Sequence, residues 1–358
     1  MLRPSPDRAA DDDPQRHRCG GCDLEHVTAA GQRRLKTRVV REQLERLGGL
    51  AAPPVDVCRE VGPATGYRNR ARFHVDDDGR LGFFLPGSHE VVPATTCRAL
   101  APGVQEVVEA IGTTSAAEVT VRAHGQHRAV VLAPGPGGLE LPEGPFDLLL
   151  EQPDGSVVAM RGDGVLAEEV AGLRYRFDAT SFFQNNTAGA EALVHHVLEA
   201  VGSPKTGGVD GALVWDLYAG VGLLSLPLAR AGAEVVAVEG HEPAAAWASR
   251  NATDAGLDLE VAAEAVHRFL RAARRGEGPM DPPDVVVLDP PRTGAGQDVV
   301  DDLVALAPAT IVYVACDPAA LARDAKALVA GGYRLTAARP LDLFPLTHHV
   351  ETVVTFAR

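Results

Sequence analysis

Residues 213–239, LVWDLYAGVGLLSLPLARAGAEVVAVE, decide the fold of this chain. An apolar run leads into the turn YAGVG, and a second apolar run ends at Glu239 after a stretch with helical spacing. A strand, a glycine-bearing turn, a helix and a second strand form the unit from which parallel α/β sheets are built. The stretch therefore predicts two neighbouring parallel strands with a ligand-binding turn at their carboxyl edge.

The same alternation extends to both sides of this unit. A helix is predicted over residues 187–201, and strands are predicted in VVVLDPPR (285–292), TIVYVACDP (310–318) and VETVVTFAR (350–358). Strands separated by helices of ten or more residues imply a parallel, doubly wound, Rossmann-like α/β sheet. We expect this domain to cover residues 171–358.

The N-terminal half of the chain has a different pattern. Short apolar runs broken by Gly and Pro predict a β-rich central domain over residues 51–170, with one helix near 102–112. Residues 1–50 combine a polar lead, which we expect to be disordered, with the loop CGGCDLEH (19–26) and a basic helix over 28–47.

Composition argues against a membrane-spanning or secreted protein. No apolar run approaches the roughly 20 residues that span a bilayer, and the N-terminus lacks the apolar core of a secretory signal. We therefore expect a cytoplasmic protein.

The net charge of −14 disfavours a nucleic-acid partner, but basic residues cluster in 33–46, and Arg68, Arg70 and Arg72 share one face of a predicted strand. A row of guanidinium groups suits phosphates, although a solvated strand face has the same pattern.

Several residues at the ends of the predicted strands suit a cofactor. Gly220 and Gly222 allow a ligand to approach the backbone, and Glu239 is placed to hold the two hydroxyls of a ribose. Asp289 ends a further strand at the same edge. Because the third glycine of a dinucleotide-binding turn is missing, S-adenosylmethionine is the better ligand. The alternatives are a tight turn with a solvated glutamate and, at Asp289, a proline-stiffened loop.

Cys316 follows an apolar run at the point where a strand ends and a helix begins. A helix N-terminus can depress a thiol pKa and so favour the nucleophilic thiolate. Free cysteines are more often small buried apolar residues, but Cys316 lies after the apolar run and shares the sheet edge with Asp289. Its position favours a nucleophile.

Residues 181–358 resemble the uracil-5-methyltransferases that modify tRNA and 23S rRNA. The resemblance implies an S-adenosylmethionine-dependent RNA methyltransferase with Cys316 as nucleophile and Glu351 as general base. It also implies that Gln184, Tyr218, Glu239 and Asp289 lie around the cofactor and target base, whereas Leu223, at a position that is often polar in the family, can only pack. Six blocks match in the family's order: SFFQNN (181–186), DLYAGVG (216–222), AVE (237–239), DPPR (289–292), IVYVACDPAALARD (311–324) and DLFPLTHHVE (342–351).

The chemistry of uracil explains these residue types. Its C5 atom is too weak a nucleophile until a thiolate adds at C6, and a carboxylate must then remove the C5 proton. The related cytosine-5 enzymes carry a second cysteine in the Asp-Pro motif, which is absent from 289–292, so uracil is favoured. A methyltransferase-like RNA-binding or assembly factor without catalysis is the alternative, and the intact Cys316 and Glu351 favour the enzyme.

Three of the five cysteines resemble ligands of the [4Fe–4S] cluster found in many members of this family. Cys19, Cys22 and Cys97 match three positions, but the usual first cysteine is Asp13 here. Either Asp13 or His17 completes the set of four, the cluster keeps an open iron, or it has been lost; zinc or a redox dithiol also fits CxxC. Cys58 is expected to pack.

The RNA target is predicted from the arrangement of domains. No additional N-terminal OB-type domain, which some rRNA-specific relatives possess, is apparent in the sequence. We take this to favour 23S rRNA slightly over the tRNA T-loop, with target choice resting on the central domain and the cysteine loop. A monomer is expected.

Overall fold

The computed structural model describes residues 5–9, 19–135, 138–202, 208–277 and 281–358. Asp13 and His17, the candidates for a fourth cluster ligand, lie outside these ranges. The helices of the described residues are α1 (Ala29–Arg46), α2 (Pro102–Ile111), α3 (Thr187–Val201), α4 (Ser225–Arg230), α5 (Glu242–Asp254), α6 (Val266–Arg274), α7 (Gln297–Leu306) and α8 (Pro318–Ala330).

The strands of the described residues form three sheets. In chain order they are β1 (Arg59–Glu60), β2 (Arg70–Val75), β3 (Leu81–Phe84), β4 (Val91–Pro93), β5 (Glu118–His124), β6 (His127–Ala133), β7 (Asp147–Glu151), β8 (Val157–Arg161), β9 (Val165–Val170), β10 (Leu173–Asp178), β11 (Leu213–Leu217), β12 (Glu234–Val238), β13 (Glu260–Ala262), β14 (Val285–Leu288), β15 (Thr310–Ala315), β16 (Arg334–Asp342) and β17 (Glu351–Ala357).

The largest sheet has eight strands in the order β1-β16-β17-β15-β14-β11-β12-β13. Strands β11 to β15 run parallel, as the alternating pattern predicts. Strand β17 runs antiparallel to both β15 and β16, so the sheet is mixed rather than wholly parallel. The reason is that a short loop joins β16 to β17, and only a long crossover could have kept the direction.

Two helical layers cover this sheet. One apolar cluster packs α1, α6, α7 and α8 against one face of the sheet, and another packs α3, α4 and α5 against the opposite face. The prediction of a doubly wound α/β domain is therefore confirmed. Helix α4 is shorter than its sequence pattern indicates, since only residues 225–230 are helical.

The N-terminal half forms the predicted β-rich region. Its seven strands have the order β4-β3-β2-β5-β6-β7-β8, and α2 packs on the cluster formed by their apolar side chains. Strand β1 departs from this pattern because it pairs with β16 at the edge of the large sheet. Hairpin β9–β10 packs on the α3 side of the large sheet, where its apolar side chains join the same cluster. None of the helices in the described ranges has both the length and the apolar character needed to cross a bilayer.

Candidate active site

The carboxyl ends of the parallel strands bring three predicted residues to one edge of the large sheet. Leu217, the last residue of β11, pairs with the last residues of both β12 and β14. Tyr218, Glu239 and Asp289 each follow one of these strand ends, so they lie side by side. This edge is where ligands bind in doubly wound sheets.

Cys316 and Glu351 face each other across an antiparallel ladder. The pairing of β15 with β17 ends at Ala315 opposite Thr352. Cys316 and Glu351 are the next residues beyond this pair, so they are also opposite each other. Side chains at directly opposed antiparallel positions have Cβ atoms about 4.5–5.5 Å apart. Asp317 caps α8 by accepting the amide of Ala320 at 2.7 Å, which sets the point where the chain turns at Cys316.

Burial raises the pKa values of Asp289, Glu351 and Cys316. Burial raises the pKa of Asp289 to about 7, and it raises that of Glu351 well above its ordinary value, with Asp289 adding to the effect. The Cys316 pKa rises to about 12 through burial and the nearby carboxylates of Glu351 and Asp289. The expectation that the helix N-terminus depresses this thiol pKa is therefore wrong for the free protein, because burial and negative neighbours outweigh the helix end.

Arg292 places a positive charge near Cys316 and Glu351 at this edge. Its charge acts against burial on both Cys316 and Glu351, lowering the pKa of each. The side chain is exposed. Arg292 was not predicted as a site residue; its place directly after Asp-Pro-Pro was the signal that it reaches the same edge.

The turn after β11 leaves room for a ligand. Gly220 has φ +57°, and a Cβ built on it would meet no atom within 4 Å. Its amide donates to Glu239 Oε2 at 2.8 Å, and the amide of His241 donates to Glu239 Oε1 at 2.7 Å. The carboxylate is thus held in place with lone pairs left over for a ribose. Tyr218 is half-buried and also has a positive φ, +63°, whereas Gly222 packs close to Leu226.

Asp216 lies close to Asp289 and Glu239 and was not predicted from the sequence. It lies inside β11 with 1% of its surface exposed, and Ser225 donates a hydrogen bond to its Oδ2. Its Oδ1 has no partner among the described residues, and burial raises its pKa to about 7, with Asp289 and Glu239 adding to the shift. A carboxylate within the apolar strand VWDL was the signal that could have identified it.

The segment that carries Gln184 is held by the central domain. Gln184 is buried, and its carbonyl oxygen accepts a hydrogen bond from Asn69 at 3.4 Å. The buried guanidinium of Arg122 donates to the carbonyl groups of Ala179 and Ser181. Gln184 is therefore placed by contacts between the two halves of the chain, which no motif in the sequence predicts.

The three predicted cluster cysteines lie near one another. Burial raises the pKa of Cys22 to about 12, with contributions from Cys97 and Cys19. Burial also raises the Cys19 pKa, and Cys97 is among its neighbours. Their Sγ atoms do not all lie within 4.8 Å of one another, since the one such three-residue set in the described ranges is on α3. Cys58 is buried in a different apolar cluster.

The arginines of the first central strands also lie close together. Arg70 and Arg72 are two positions apart on β2 and so lie on the same face of the strand. Burial lowers the pKa of Arg70, and the nearby charges of Arg68 and Arg72 lower it further. Arg72 pairs with Glu118 on the neighbouring strand. The predicted basic face is therefore present, with one of its charges partly neutralised.

Comparison with known proteins identifies the family. A model of the tRNA (Uracil-5-)-methyltransferase family matches residues 164–358. A protein of Streptomyces avermitilis described as an uncharacterized RNA methyltransferase is 37% identical over 94% of this chain and 80% of its own length. A similarly described protein of Streptomyces coelicolor is 38% identical over 94% of this chain and 75% of its own length.

A solved structure matches over the whole chain. The Pyrococcus abyssi tRNA (uracil-54, C5)-methyltransferase, in complex with S-adenosyl-L-homocysteine, aligns with a TM-score of 0.77 and 26% identity. The alignment covers 100% of this chain and 88% of the other. The chain belongs to the tRNA (uracil-5-)-methyltransferase family and is an S-adenosylmethionine-dependent RNA methyltransferase.

Proposed function

We propose that this protein methylates C5 of a uridine in RNA through a transient covalent bond between the Cys316 sulfur and C6 of the base. The observation that carries the proposal is the antiparallel pairing that sets Cys316 opposite Glu351, with Asp289 and Arg292 close enough to shift their pKa values. A nucleophile and a base that face each other can act on neighbouring atoms of one ring.

In this reaction the sulfur and the carboxylate act in turn. The Cys316 thiol first loses its proton to solvent; the thiolate then adds to C6, and the electrons of the C5–C6 double bond move towards the C4 carbonyl, which makes C5 nucleophilic. When bound, S-adenosylmethionine would supply an electrophilic methyl group to C5, and its sulfur would keep the electrons of the broken S–CH3 bond. Glu351 then takes the C5 proton, the C–H electron pair restores the double bond, and the C6–S bond breaks with its electrons returning to sulfur.

Three groups of the chain would hold the methyl donor. The open backbone at Gly220 would admit it, Glu239 would accept hydrogen bonds from its ribose, and Asp289 would balance its positive charge. The fit has a basis in the site itself, because the buried Asp216 Oδ1 and Glu351 Oε1 have no partner among the described residues. Positive charge at this edge lowers the pKa of every acid there. Ionisation of Cys316 is therefore tied to assembly of the full site.

Trapping on 5-fluorouridine tests the covalent step. Fluorine at C5 cannot leave as a proton, so the wild-type protein with S-adenosylmethionine should remain attached to 5-fluorouridine RNA on a denaturing gel. Cys316→Ala should give no adduct, and Cys58→Ala, which alters a cysteine outside the site, should give the wild-type amount. A protein that binds S-adenosylmethionine yet forms no adduct with tRNA or rRNA would instead be a binding or assembly factor.

For the target, we propose a tRNA uridine as the first substrate to test. The support is the solved neighbour that matches the whole chain, whose own substrate is tRNA uracil-54. The sequence slightly favours 23S rRNA, which remains the second candidate. Nucleoside mass spectrometry of unmodified tRNA and 23S rRNA after incubation with the protein distinguishes them: 5-methyluridine should form in one and not in the other.

We also propose that Cys19, Cys22 and Cys97 hold an iron–sulfur cluster. The support is that the three thiols lie close enough to act on one another's pKa values, and that thiolates are the usual ligands of such a cluster. Protein purified without oxygen should contain iron and acid-labile sulfide in about equal amounts; a colourless protein with one zinc would refute the cluster.

A further inference from the structure

The loop that leads into Glu351 is held from outside by the N-terminal segment. This loop, residues 343–350, joins β16 to β17 and ends directly before Glu351. The cysteine loop, residues 19–26, contacts it twice through Asp23. The amide of His348 donates to Asp23 Oδ1 at 2.8 Å, and His348 Nδ1 bonds to Asp23 Oδ2.

Backbone contacts strengthen the same connection. The amide of Leu24 donates to the carbonyl oxygen of Leu346 at 2.8 Å. Leu346 donates its own amide to Gln32 Oε1 at 2.8 Å, and Gln32 Nε2 donates to the carbonyl groups of Leu24 and Val27. Gln32 is 2% exposed, so this amide side chain joins α1, the cysteine loop and the loop before Glu351 in a dry environment, where such bonds are strong.

The held loop needs such support. Leu346 has φ +68°, a conformation that is costly for a residue with a branched side chain and persists only where neighbours enforce it. His349, at the other end of the loop, is half-buried and close enough to Arg292 for its pKa to be lowered by that charge, after burial and His348. Arg292 acts on Glu351 as well, so the held end of the loop borders the site.

We propose that the cysteine loop positions Glu351 for removal of the C5 proton, and that Asp23 and Gln32 carry this coupling. The inference rests on the proposed covalent mechanism and deepens it. It gives residues 19–26 a role in one chemical step, in addition to any part in RNA choice. Asp23 is a positioning residue, because it acts through His348 and does not face the reacting atoms itself.

Loss of this coupling should slow one particular step of the reaction, because addition and methyl transfer precede proton removal. A displaced Glu351 leaves the first two steps intact and slows only the third. A misplacement of about 1 Å in a catalytic group can cost up to about 100-fold. The enzyme should then accumulate as a methylated covalent adduct with ordinary uridine RNA, a state that a general loss of structure would not produce.

The test compares Asp23→Ala with wild type on unmodified tRNA transcript and methyl-labelled S-adenosylmethionine. We expect turnover to fall about 10- to 100-fold, KM for RNA to change less than about twofold, and labelled protein–RNA adduct to increase about tenfold. Asp23→Asn can still accept the His348 amide through its oxygen and can donate to His348 Nδ1 through its amide nitrogen. It should therefore stay near wild type. Asp77→Ala removes an exposed carboxylate from the β2–β3 turn and should leave the adduct fraction unchanged. Glu351→Gln gives the upper limit of accumulation.

His348→Ala provides a second approach from the other side of the contact. If the contact is the cause, the double variant should behave like either single variant, because each removes the same interaction. Equal losses of adduct formation and turnover, or a rise in KM for RNA alone, would overturn the inference. Failure of wild type to trap on 5-fluorouridine RNA would instead overturn the proposed function, so the two failures are distinguishable.

Discussion

The carboxyl edge of the catalytic sheet and the arginine face of the central sheet leave opposite charges unbalanced. At the carboxyl edge, the buried atoms without partners include carboxylate oxygens of Asp216 and Glu351. In the central domain they include guanidinium nitrogens of Arg68 and Arg122. Burial and the neighbouring Arg70 lower the Arg122 pKa to about 9, as burial raises the pKa of the acids at the other site.

The separation of acidic and basic regions explains how a chain of net charge −14 can bind a polyanion such as RNA. An edge rich in carboxylates suits a positively charged methyl donor, and a face rich in guanidinium groups suits phosphates. Unpaired buried charges are costly, so removing one partner of a buried ion pair destabilises the fold. Whether a given charge is paired should therefore decide whether its removal affects stability, ligand binding or neither.

The largest expected effect is on a buried pair that joins the two halves of the chain. Lys36 on α1 pairs with Asp342 of β16, and both side chains are almost fully buried. Lys36→Met should lower the free energy of unfolding by about 3–5 kcal/mol, because Asp342 is left as an uncompensated buried charge. Chemical denaturation measures this. Arg38→Ala, which removes an exposed pair with Glu42, should change it by less than about 0.5 kcal/mol; equal effects would contradict the distinction.

At the carboxyl edge, Glu239→Gln should weaken binding of S-adenosylmethionine about 10- to 100-fold, since hydrogen bonds to a charged acceptor are worth about 1.5–3 kcal/mol. Titration calorimetry measures the change. Glu242→Gln, an exposed carboxylate at the start of α5, is the matched control and should bind normally. A normal affinity for the Glu239 variant would remove this residue from the cofactor site.

A pH series tests the unpaired acid inside the sheet. The Asp216 pKa is raised in the folded chain to about 7 from an ordinary 3.8. The stability that comes from its bound proton is fully present below about pH 4 and is lost as pH rises to about 7. Asp216→Asn cannot ionise, so its free energy of unfolding relative to wild type should rise across this window by about 1–3 kcal/mol. Exposed Asp258→Asn should show no such trend; a flat difference for Asp216→Asn would refute the raised pKa.

The smallest expected effect is at the partly neutralised arginine face. Arg72→Ala should weaken binding of tRNA transcript only about threefold and reduce the slope of log affinity against log salt by about one, as for a single phosphate contact. Filter binding at several salt concentrations measures both. Arg334→Ala, an exposed arginine at the start of β16, should leave the slope unchanged. An unchanged slope for Arg72→Ala would make this face a solvated one.

The sequence by itself determined the α/β class and the position of each strand end at the catalytic edge. Hydrophobic periodicity is local, and in a parallel sheet the carboxyl ends of the strands share one edge. Glu239 and Asp289 could therefore be placed together without coordinates. Likewise, the resemblance of the motifs around Cys316 and Glu351 to the family indicated which residue types the proposed chemistry uses.

Tertiary structure alone decided what depends on contacts between distant segments. The antiparallel return of β17, which sets Glu351 opposite Cys316, follows from a short loop rather than from any local pattern. The protonation of Cys316 was mispredicted because the helix end is visible in the sequence, whereas the burial and carboxylates that oppose it come from other strands. The contact of Asp23 with His348 joins residues 325 positions apart. No local periodicity reports such a contact, because its free energy depends on how two surfaces meet once each has folded.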